Sequence, residues 1–529
     1  MCAHAALNTK RAADKKPFFG DVCLLGLELT GQAVVTYFLE HPLSLTSLTI
    51  YASCPTPEVQ AFAAKLPKNI AVNLDCATVV GHYDTTVASP GISPQAPLYQ
   101  SALTCSVELI SEPELAWRVS PEDWIAITGT NGKTTVTELT AHLLNAAGTK
   151  AFVAGNIGIP CIQAVSHRPP GSFIVAELSS YQLHSTVDFA PDVAVLLNIT
   201  PDHLNWHDGF ENYAADKLKL LANVDAQNPV IIDATLENTR SLVRKLRNEG
   251  RRVIPLGATE GIYESMIERC GAPEAAYVDE RTQRLNVVLN GEQLELAPTS
   301  SLNIKGTHNL SNALAAATAA LCVGATPGAL SAGLTSFKPL EHRLEPCGEV
   351  AGVNFINDSK ATNTDAAIRA IIAFGDDAPG IKTQTTAASD TVSAGTNSAT
   401  GTKTSKTYNS VINTADNAAL IVLFGGSDKG TALDDLVCAC QGLCKYAVCF
   451  GEAAARFYAA LSPAVPTKLA RNLDDAFAQA VTLAQSGDVV LLSPACASFD
   501  EFASFEARGA AFKRLVATWE QQNRRIGEK

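Results

Sequence analysis

The chain has 529 residues, of which 47% are hydrophobic and 18% charged, and its formal net charge is −13. This length suggests about three domains, and the composition favours packed cores over general disorder. The acidic charge argues against an extended nucleic-acid footprint. No apolar run resembles a signal peptide or reaches the roughly 18 residues of a membrane span, so we expect a cytoplasmic protein without membrane insertion.

The first recognisable unit opens with an apolar strand at Asp21–Gly26, a glycine turn and an apolar helix at Gln32–Glu40. This order is typical of a nucleotide-binding fold. Only two of the three dinucleotide-fingerprint glycines are present, because Glu28 stands at the middle position, so support for NAD or FAD binding is weak. An ordinary turn and a ligand-binding turn both remain open on local evidence. A second strand and turn, Thr86–Ile92, is expected at the same sheet edge.

The central unit begins with a strand, Trp124–Thr128, and an apolar-striped helix, Val136–Leu144. Glycines between them would let backbone N–H groups approach phosphate oxygens at a helix N-terminus. A lysine in such a loop can reach the terminal phosphates, and a following threonine hydroxyl can ligate Mg²⁺. We therefore predict a phosphate-binding loop rather than a structural turn, formed by Gly129, Thr130, Asn131, Gly132, Lys133, Thr134 and Thr135.

Polar residues follow the later strands of the same unit. Glu177 ends an apolar strand, Phe173–Glu177, and a carboxylate at this sheet edge is well placed for a metal ion. His203 follows the next strand, Val193–Asn198. Lys217 lies in a helix of alternating Lys and Leu, and on local evidence alone a surface lysine is the favoured interpretation.

Alternating strands and helices continue to the C-terminus, which predicts an α/β protein. Residues 376–416 are rich in Thr, Ser, Ala, Gly and Asn, and we interpret them as a flexible surface insertion that is dispensable for activity. We expect three domains: a Rossmann-like domain over 1–111 with a loose arm at 1–19, a central P-loop ATPase domain with a parallel sheet over 112–339, and a Rossmann-like domain over 340–529.

Fourteen cysteines are scattered along the chain. We expect buried free thiols, as is usual in a cytosolic enzyme. One group has a spacing that matches no common zinc pattern, so core thiols are favoured over a metal site. Its members are Cys438, Cys440, Cys444 and Cys449.

Taken in order, these motifs resemble those of the Mur ligases and the related folylpolyglutamate synthetases. That family carries a Thr-Gly-Thr-Asn-Gly-Lys loop, a Glu at a strand end, an Asp-His pair, a lysine that becomes carbamylated, and a His-Asn helix start. The matching positions here are Thr128–Lys133, Glu177, Asp202-His203, Lys217, and His308-Asn309 with Asn312. The resemblance covers nearly the whole chain.

The resemblance implies roles for the matching residues. The loop residues, with Asn312, Arg343 and Asp358, would bind ATP. Thr134 and Glu177 would hold a first Mg²⁺, whereas His203 and carbamylated Lys217 would serve a second. The implied catalytic residues are Lys133, Glu177, His203, Lys217 and Lys360, the last adding positive charge at the transfer site.

The C-terminal motifs, above all the run Asp358–Asn363, resemble the D-glutamate-adding branch of the family. The implied amino-acid contacts are Thr362, Lys429, Ser498 and Phe505. The implied contacts to a UDP-linked substrate are Leu29, Thr30, Ser89, Pro90 and Gly91, with Asn156 at the sugar-peptide. The chain departs from the family at Tyr51–Cys54, where relatives often place an Asp-Thr-Arg type contact to uracil, so the resemblance assigns no uracil contact here.

The resemblance thus implies an ATP-dependent, ADP-forming ligase of peptidoglycan biosynthesis, acting as a monomer. It would add D-glutamate to UDP-N-acetylmuramoyl-L-alanine through an acyl phosphate. Another Mur ligase step and a folylpolyglutamate synthetase-like reaction are the alternatives. A catalytically dead nucleotide-binding protein is a third, which the joint presence of Lys133, Glu177, His203 and Lys217 argues against.

Overall fold

The computed structural model describes residues 17–53, 55–258, 270–304, 306–338, 340–375, 419–428 and 430–527. Two compact units are present, Met1–Lys338 and Pro339–Lys529. Nearly all of the predicted arm at 1–19 and the whole predicted insertion at 376–416 lie outside the described residues, so both stay predictions. Within the described residues, no helix combines the length and apolar character needed to cross a membrane.

The first sheet of the N-terminal unit is parallel throughout its described strands. These strands are β1 (Asp21–Leu25), β2 (Ser47–Ala52), β3 (Ala71–Leu74), β4 (Tyr83–Ala88) and β5 (Ser106–Ser111). Their order is β3-β2-β1-β4-β5. The chain therefore reverses its winding direction between β1 and β4, and ligands of such sheets bind at the carboxyl ends of the strands at this point.

Helices α1 (Leu29–Glu40), α2 (Pro57–Ala63), α3 (Pro97–Cys105) and α4 (Glu112–Val119) accompany this sheet, with a 3₁₀ turn at Pro42–Ser44. The helix expected to begin at Gln32 begins three residues earlier. Its N-cap, Glu28, makes no side-chain capping hydrogen bond, so the local sequence carried no clear start signal.

The second sheet of the same unit contains nine described strands. Its strands are β6 (Trp124–Thr128), β7 (Ala151–Gly155), β8 (Phe173–Glu177), β9 (Val193–Leu196), β10 (Val230–Asp233), β11 (Val253–Gly257), β12 (Ala275–Asp279), β13 (Arg284–Leu289) and β14 (Glu292–Pro298). The order is β14-β13-β12-β11-β10-β9-β6-β8-β7, and only the two pairs that involve β13 are antiparallel among the described strands. The central strands β6, β8 and β9 are buried throughout, as expected for parallel strands covered on both faces.

Helices of the second sheet cover both faces. They are α5 (Lys133–Ala146), α6 (Cys161–His167), α7 (Ser180–His184), α8 (Leu204–His207), α9 (Phe210–Leu218), α10 (Glu237–Asn248), α11 (Thr307–Cys322) and α12 (Pro327–Ser336), with 3₁₀ turns at Lys219–Leu221 and Thr299–Ser301. Strand β6 pairs with β8 on one side and β9 on the other, with Ile127 opposite Glu177 and Thr128 opposite Leu196. The loops that follow these three strands therefore share one sheet edge.

The C-terminal unit, considered by itself, is built on a sheet of six described strands. They are β15 (Glu345–Val350), β16 (Val353–Asn357), β17 (Leu420–Gly425), β18 (Cys444–Phe450), β19 (Thr467–Leu469) and β20 (Val489–Leu492), in the order β15-β16-β20-β17-β18-β19. Only the edge pair β15–β16 is antiparallel among them. The helices are α13 (Thr364–Gly375), α14 (Asp434–Cys440), α15 (Ala454–Leu461), α16 (Leu473–Leu483) and α17 (Phe505–Gly527). The α/β fold with a Rossmann-like sheet at each end of the chain is confirmed.

Candidate active site

The predicted phosphate loop connects β6 to α5. Gly129 and Gly132 have φ angles of 155° and 87°, and a Cβ at Gly132 would lie 2.5 Å from Oδ1 of Asn312. Both positions therefore require glycine. Nζ of Lys133 donates to the carbonyl oxygens of Gly129 at 2.9 Å and Thr130 at 2.8 Å, so the ammonium lies against the loop. Helix α5 begins at Lys133, and its first N–H groups add partial positive charge at this edge.

Asn198 and Tyr213 hold this loop in place, and sequence reasoning assigned neither of them a role. Oδ1 of Asn198 accepts from the backbone N–H of Asn131 at 2.8 Å, and its Nδ2 donates back to the Asn131 carbonyl at 3.1 Å. The hydroxyl of Tyr213 lies 2.8 Å from that of Thr130. The contact of Asn198 with Asn131 could have been suspected from the sequence, because Asn198 is a polar residue at the end of an apolar strand.

Asn312 comes to the loop from helix α11. It is buried, and its Nδ2 donates to Oδ1 of Asn309 at 3.0 Å while its Oδ1 faces Gly132. Asn312 is 180 residues from the loop in sequence, yet the fold brings it to the predicted nucleotide site. Its role in nucleotide binding stays a prediction.

Glu177 lies at the end of β8 and is 1% exposed. Its Oε1 accepts a hydrogen bond of 2.8 Å from Nδ2 of Asn156, whereas its buried Oε2 has no hydrogen-bond partner among the described residues. A buried carboxylate oxygen left without a donor is costly unless a cation satisfies it. The residue therefore fits a metal ligand. Burial, together with the charge of Glu177, raises the pKa of nearby Glu138.

Lys217 is buried in α9, so the local interpretation as a surface lysine is wrong. Its side chain is 2% exposed, and its Nζ lies 2.8 Å from the carbonyl oxygen of Gly129 and 4.7 Å from the centre of the Tyr213 ring. Burial and the nearby Lys133 charge lower the pKa of Lys217 well below its usual value, although Asp202 and Glu177 oppose this. A lowered pKa increases the neutral amine, which is the form that reacts with carbon dioxide to give a carbamate.

His203 precedes α8 with a left-handed backbone, φ 53°. Its Nε2 lies 3.5 Å from Oδ2 of buried Asp202, and its ring packs against Tyr181 at a centroid distance of 5.1 Å. The side chain is 40% exposed, so it remains accessible to a ligand. Four groups thus lie together at the carboxyl edge of β6, β8 and β9: the predicted phosphate loop, the Glu177 carboxylate, the His203 imidazole and the buried Lys217 side chain.

The predicted contacts to the UDP-linked substrate lie at the switch point of the first sheet. Leu29 is 69% exposed at the start of α1. Oγ of Ser89, just after β4, is buried without a hydrogen-bond partner among the described residues, and it would lie 2.9 Å from a Cβ placed on Gly26. Thr30, Pro90 and Gly91 flank these two positions in sequence. At the departure from the family pattern, the Tyr51 hydroxyl is used internally and donates to the Val80 carbonyl at 2.7 Å.

Several predicted residues lie together within the C-terminal unit. Oδ2 of Asp358, just after β16, accepts from the Ser493 hydroxyl at 2.8 Å, and burial raises its pKa to about 7. Nζ of Lys360 lies 3.9 Å above the Phe505 ring. Ser498 is buried after β20. Arg343 precedes β15 and Thr362 follows β16, whereas Lys429 lies outside the described residues.

Arg508 is a residue of this unit that sequence reasoning missed. Its side chain is fully buried and donates to the Ser359 hydroxyl and carbonyl and to the carbonyls of Gly425, Cys496 and Ala497. It therefore ties together the loops that follow β16, β17 and β20. An arginine in a C-terminal helix carries no local signal of such a role.

The cysteines follow the core-thiol expectation in most cases. Cys440, Cys444 and Cys449 are buried free thiols, as predicted, whereas Cys438 is exposed on α14 and the core expectation is wrong for it. Among the described residues, Glu341, His342 and Glu345 lie close enough together to hold a metal ion, and no cysteine group does. The Lys513 ammonium pairs with both of those glutamates, which accounts for their proximity.

Comparison with protein families gives two matches. The Mur ligase middle domain matches residues 127–320, and the Mur ligase glutamate ligase domain matches residues 395–496. The first span contains the phosphate loop, Glu177, His203 and Lys217.

Several curated relatives carry the name UDP-N-acetylmuramoylalanine–D-glutamate ligase. The one from Alkaliphilus metalliredigens is 35% identical over 443 residues, which is 83% of this chain and 85% of the relative. The one from Thermoanaerobacter pseudethanolicus is 36% identical over 82% of this chain and 84% of the relative. The one from Streptococcus pyogenes is 31% identical over 93% of this chain and 95% of the relative.

Solved structures of more distant proteins share the fold. The MurF ligase from Thermotoga maritima in complex with ADP superposes with a TM-score of 0.53 at 15% identity, covering 91% of this chain and 96% of that protein. The UDP-N-acetylmuramate-alanine ligase MurC from Thermotoga maritima superposes with a TM-score of 0.52 at 14% identity, covering 95% of this chain and 99% of that protein. At these identities the likeness concerns the three-domain fold alone.

Proposed function

Since this chain belongs to the Mur ligase family, we propose that it joins D-glutamate to UDP-N-acetylmuramoyl-L-alanine in peptidoglycan biosynthesis, with conversion of ATP to ADP. Relatives that bear this activity in their names match at 31% to 36% identity over most of the chain. The observation that carries the chemistry is the convergence of Lys133, Glu177, His203 and buried Lys217 at one sheet edge.

The reaction has two steps, in which the substrate carboxylate is first activated and then joined to the amine. An oxygen of the substrate carboxylate attacks the γ-phosphorus of ATP, ADP leaves, and an acyl phosphate forms. The neutral amine of D-glutamate then attacks the acyl carbon, the nitrogen loses a proton to solvent, and the tetrahedral intermediate collapses to the amide with loss of phosphate. Negative charge accumulates on crowded oxygens in both steps, so the site must supply cations and N–H donors rather than a covalent nucleophile.

The residues of the loop meet this need. The glycines and the N-terminus of α5 supply backbone N–H donors for the phosphates, and the Lys133 ammonium adds a positive charge. Thr130, Asn131, Thr134 and Thr135 complete the cradle, with Asn312 beside it.

Two Mg²⁺ ions are part of the proposal. Thr134 and Glu177 would hold one, and His203 with carbamylated Lys217 the other; the unpartnered Oε2 of Glu177 supports the fit. Bound Mg²⁺ would neutralise the phosphate oxygens and polarise the phosphorus. A carbamate turns the buried amine into an oxygen ligand, which a bare ammonium is not.

The remaining contacts are assigned by the same reasoning. Arg343 and Asp358 would complete nucleotide binding, and Lys360 would add positive charge at the transfer site. A dicarboxylate amino acid needs a cation and hydroxyl donors, which Lys429, Thr362 and Ser498 would provide beside Phe505. Leu29, Thr30, Ser89, Pro90 and Gly91 would bind the UDP moiety, and Asn156 the sugar-peptide.

We also propose that the protein is a monomer in the cytoplasm, with domains over 1–111, 112–339 and 340–529.

An amino-acid panel tests the function. With UDP-N-acetylmuramoyl-L-alanine and ATP, ADP release should require D-glutamate. Faster turnover with L-glutamate and folate, with a diamino acid, or with no amino acid would each contradict the proposal, and the first two would identify the folylpolyglutamate or another Mur ligase reaction.

A further inference from the structure

A buried carboxylate stands immediately before Lys217. Oδ2 of Asp216 accepts hydrogen bonds from Nδ1 of His184 at 2.8 Å and from Nδ1 of His207 at 2.9 Å, and Nζ of Lys219 lies 3.3 Å from Oδ1. For Oδ2 to accept from both rings, each imidazole must carry its proton on Nδ1.

These contacts join three separate segments of the chain. His184 ends α7, the helix that follows Glu177; His207 ends α8, the helix that His203 caps; and Asp216 lies in α9 beside Lys217. These are the three segments that carry Glu177, His203 and Lys217. Asp216 is the point at which all three meet.

Ser180 adds a fourth contact to this network through His207. Nε2 of His207 lies 2.9 Å from the hydroxyl of Ser180, the first residue of α7. Because Nδ1 of His207 donates to Asp216, its Nε2 accepts from Ser180 when the ring is neutral. Ser180, His207 and Asp216 are arranged like a hydrolase triad, but Ser180 is 3% exposed and so is shielded from substrate. The arrangement is suited to fixing positions rather than to nucleophilic attack.

The geometry of α9 explains why the position of Asp216 affects the orientation of Lys217. Successive residues of an α-helix are separated by roughly 100° of rotation about its axis, so Asp216 and Lys217 point to different neighbours. Anchoring Asp216 to α7 and α8 sets the rotation of α9 at which Nζ of Lys217 reaches the Gly129 carbonyl. The contacts of Lys217 with Gly129 and of Tyr213 with Thr130 hold α9 against the loop, and the contacts of Asp216 add its connection to α7 and α8.

We propose that Asp216, held by His184 and His207, is a positioning residue that aligns Glu177, His203 and Lys217 for the ligase reaction. This inference rests on the proposed function for its reaction, but the network itself is independent of which amino acid is added. Outer partners that orient ligands typically contribute about 10- to 100-fold to metal affinity or activity.

The experiment compares Asp216→Ala and Asp216→Asn with wild type in the full chain. Glu211→Gln, which removes an exposed carboxylate from the same helix, is the matched control. Two quantities are measured: the ¹³C resonance of a lysine carbamate formed with labelled bicarbonate in the absence of substrates, and the Mg²⁺ concentration for half-maximal rate. Asp216→Ala should lose most of the resonance and raise the Mg²⁺ requirement by about 10-fold or more, with the KM for the amino acid nearly unchanged.

The histidines provide a rescue test if Asp216→Ala fails to fold. Asn places an amide nitrogen near the position of a histidine Nδ1, so His184→Asn should keep the carbamate resonance and Mg²⁺ dependence closer to wild type than His184→Leu does. Equal behaviour of these two variants would overturn the proposal, as would a folded Asp216→Ala with the wild-type resonance. Absence of the resonance in wild type would also overturn it, whereas failure of the D-glutamate panel alone would not.

Discussion

Nζ of Lys217 lies 2.8 Å from the carbonyl oxygen of Gly129, the first residue of the phosphate loop. The two residues are 88 positions apart in sequence, and the contact is buried. It places a lysine with a lowered pKa directly behind the site proposed for the ATP phosphates. The loop and the proposed carbamate are therefore parts of one constellation.

Replacing Lys217 with Ala should abolish turnover while leaving nucleotide binding largely intact. The loss should be at least about 100-fold, because a direct ligand contributes more than outer partners, which account for about 10- to 100-fold. Short carboxylic acids should restore part of the rate by supplying the missing oxygen ligand. Steady-state rates with and without added acetate test this, and Lys150→Ala, at an exposed lysine, serves as the control. Unimpaired activity of Lys217→Ala would refute the carbamate role.

Gly132→Ala should disrupt the phosphate loop. The new methyl group would lie 2.5 Å from Oδ1 of Asn312, at a φ of 87° that side chains disfavour. ADP binding, measured by calorimetry, should weaken by about 10-fold or more, which corresponds to a loss of about 1.4 kcal/mol.

Gly148→Ala separates backbone strain from the steric clash. Its φ of 83° is similar, but nothing lies within 4 Å of the added Cβ. This variant should lose only the about 1–2 kcal/mol of stability expected for a left-handed side chain, with ADP affinity unchanged. Equal ADP affinities of the Gly132 and Gly148 variants would contradict the clash.

Glu112 should make folding stability depend on pH. Its carboxyl is buried and accepts from the Ile162 N–H at 2.6 Å, and burial raises its pKa from 4.5 to about 7. The folded state holds the proton of Glu112 more tightly than the unfolded state does. The protonated Glu112 carboxyl therefore contributes fully to folding stability below about pH 4.5, and this contribution is lost as the pH rises through about 7. The difference amounts to about 3 kcal/mol.

The isosteric variant Glu112→Gln isolates this effect. The difference in unfolding free energy between wild type and Glu112→Gln should shift in favour of the variant as the pH rises from about 4.5 to 7. Denaturant titrations at several pH values measure it. A difference that stays constant over this range would show that Glu112 ionises in the folded state as freely as in the unfolded state.

Arg508→Met should destabilise the C-terminal unit. The guanidinium donates to five acceptors on three strand-end loops, and each buried acceptor left without a donor costs about 1–3 kcal/mol. We expect a loss of about 3 kcal/mol or more in unfolding free energy, measured by denaturant titration. Arg514→Met, on the exposed side of the same helix, should change stability little. Similar losses in both variants would refute the tie between the loops.

Parts of the fold were predictable at residue level. The strands Trp124–Thr128 and Phe173–Glu177 have the predicted bounds because each is a continuous apolar run that is buried on both faces. Helix starts were less accurate, since α1 and α5 begin at Leu29 and Lys133 rather than Gln32 and Val136. Their N-caps, Glu28 and Gly132, make no side-chain capping bond, so the usual start signal was absent.

The sequence alone was enough to predict the α/β architecture, the glycine-containing loop proposed to bind phosphate and the position of Glu177 at a strand end. These features depend on glycine spacing and apolar runs, which act over short distances along the chain. Only the tertiary structure decided that Lys217 is buried, that Asp216 joins His184 to His207, and that Arg508 ties three loops together. Burial and pKa depend on what other segments place around a side chain. Those neighbours are set by strand order and helix packing, which local sequence patterns do not record.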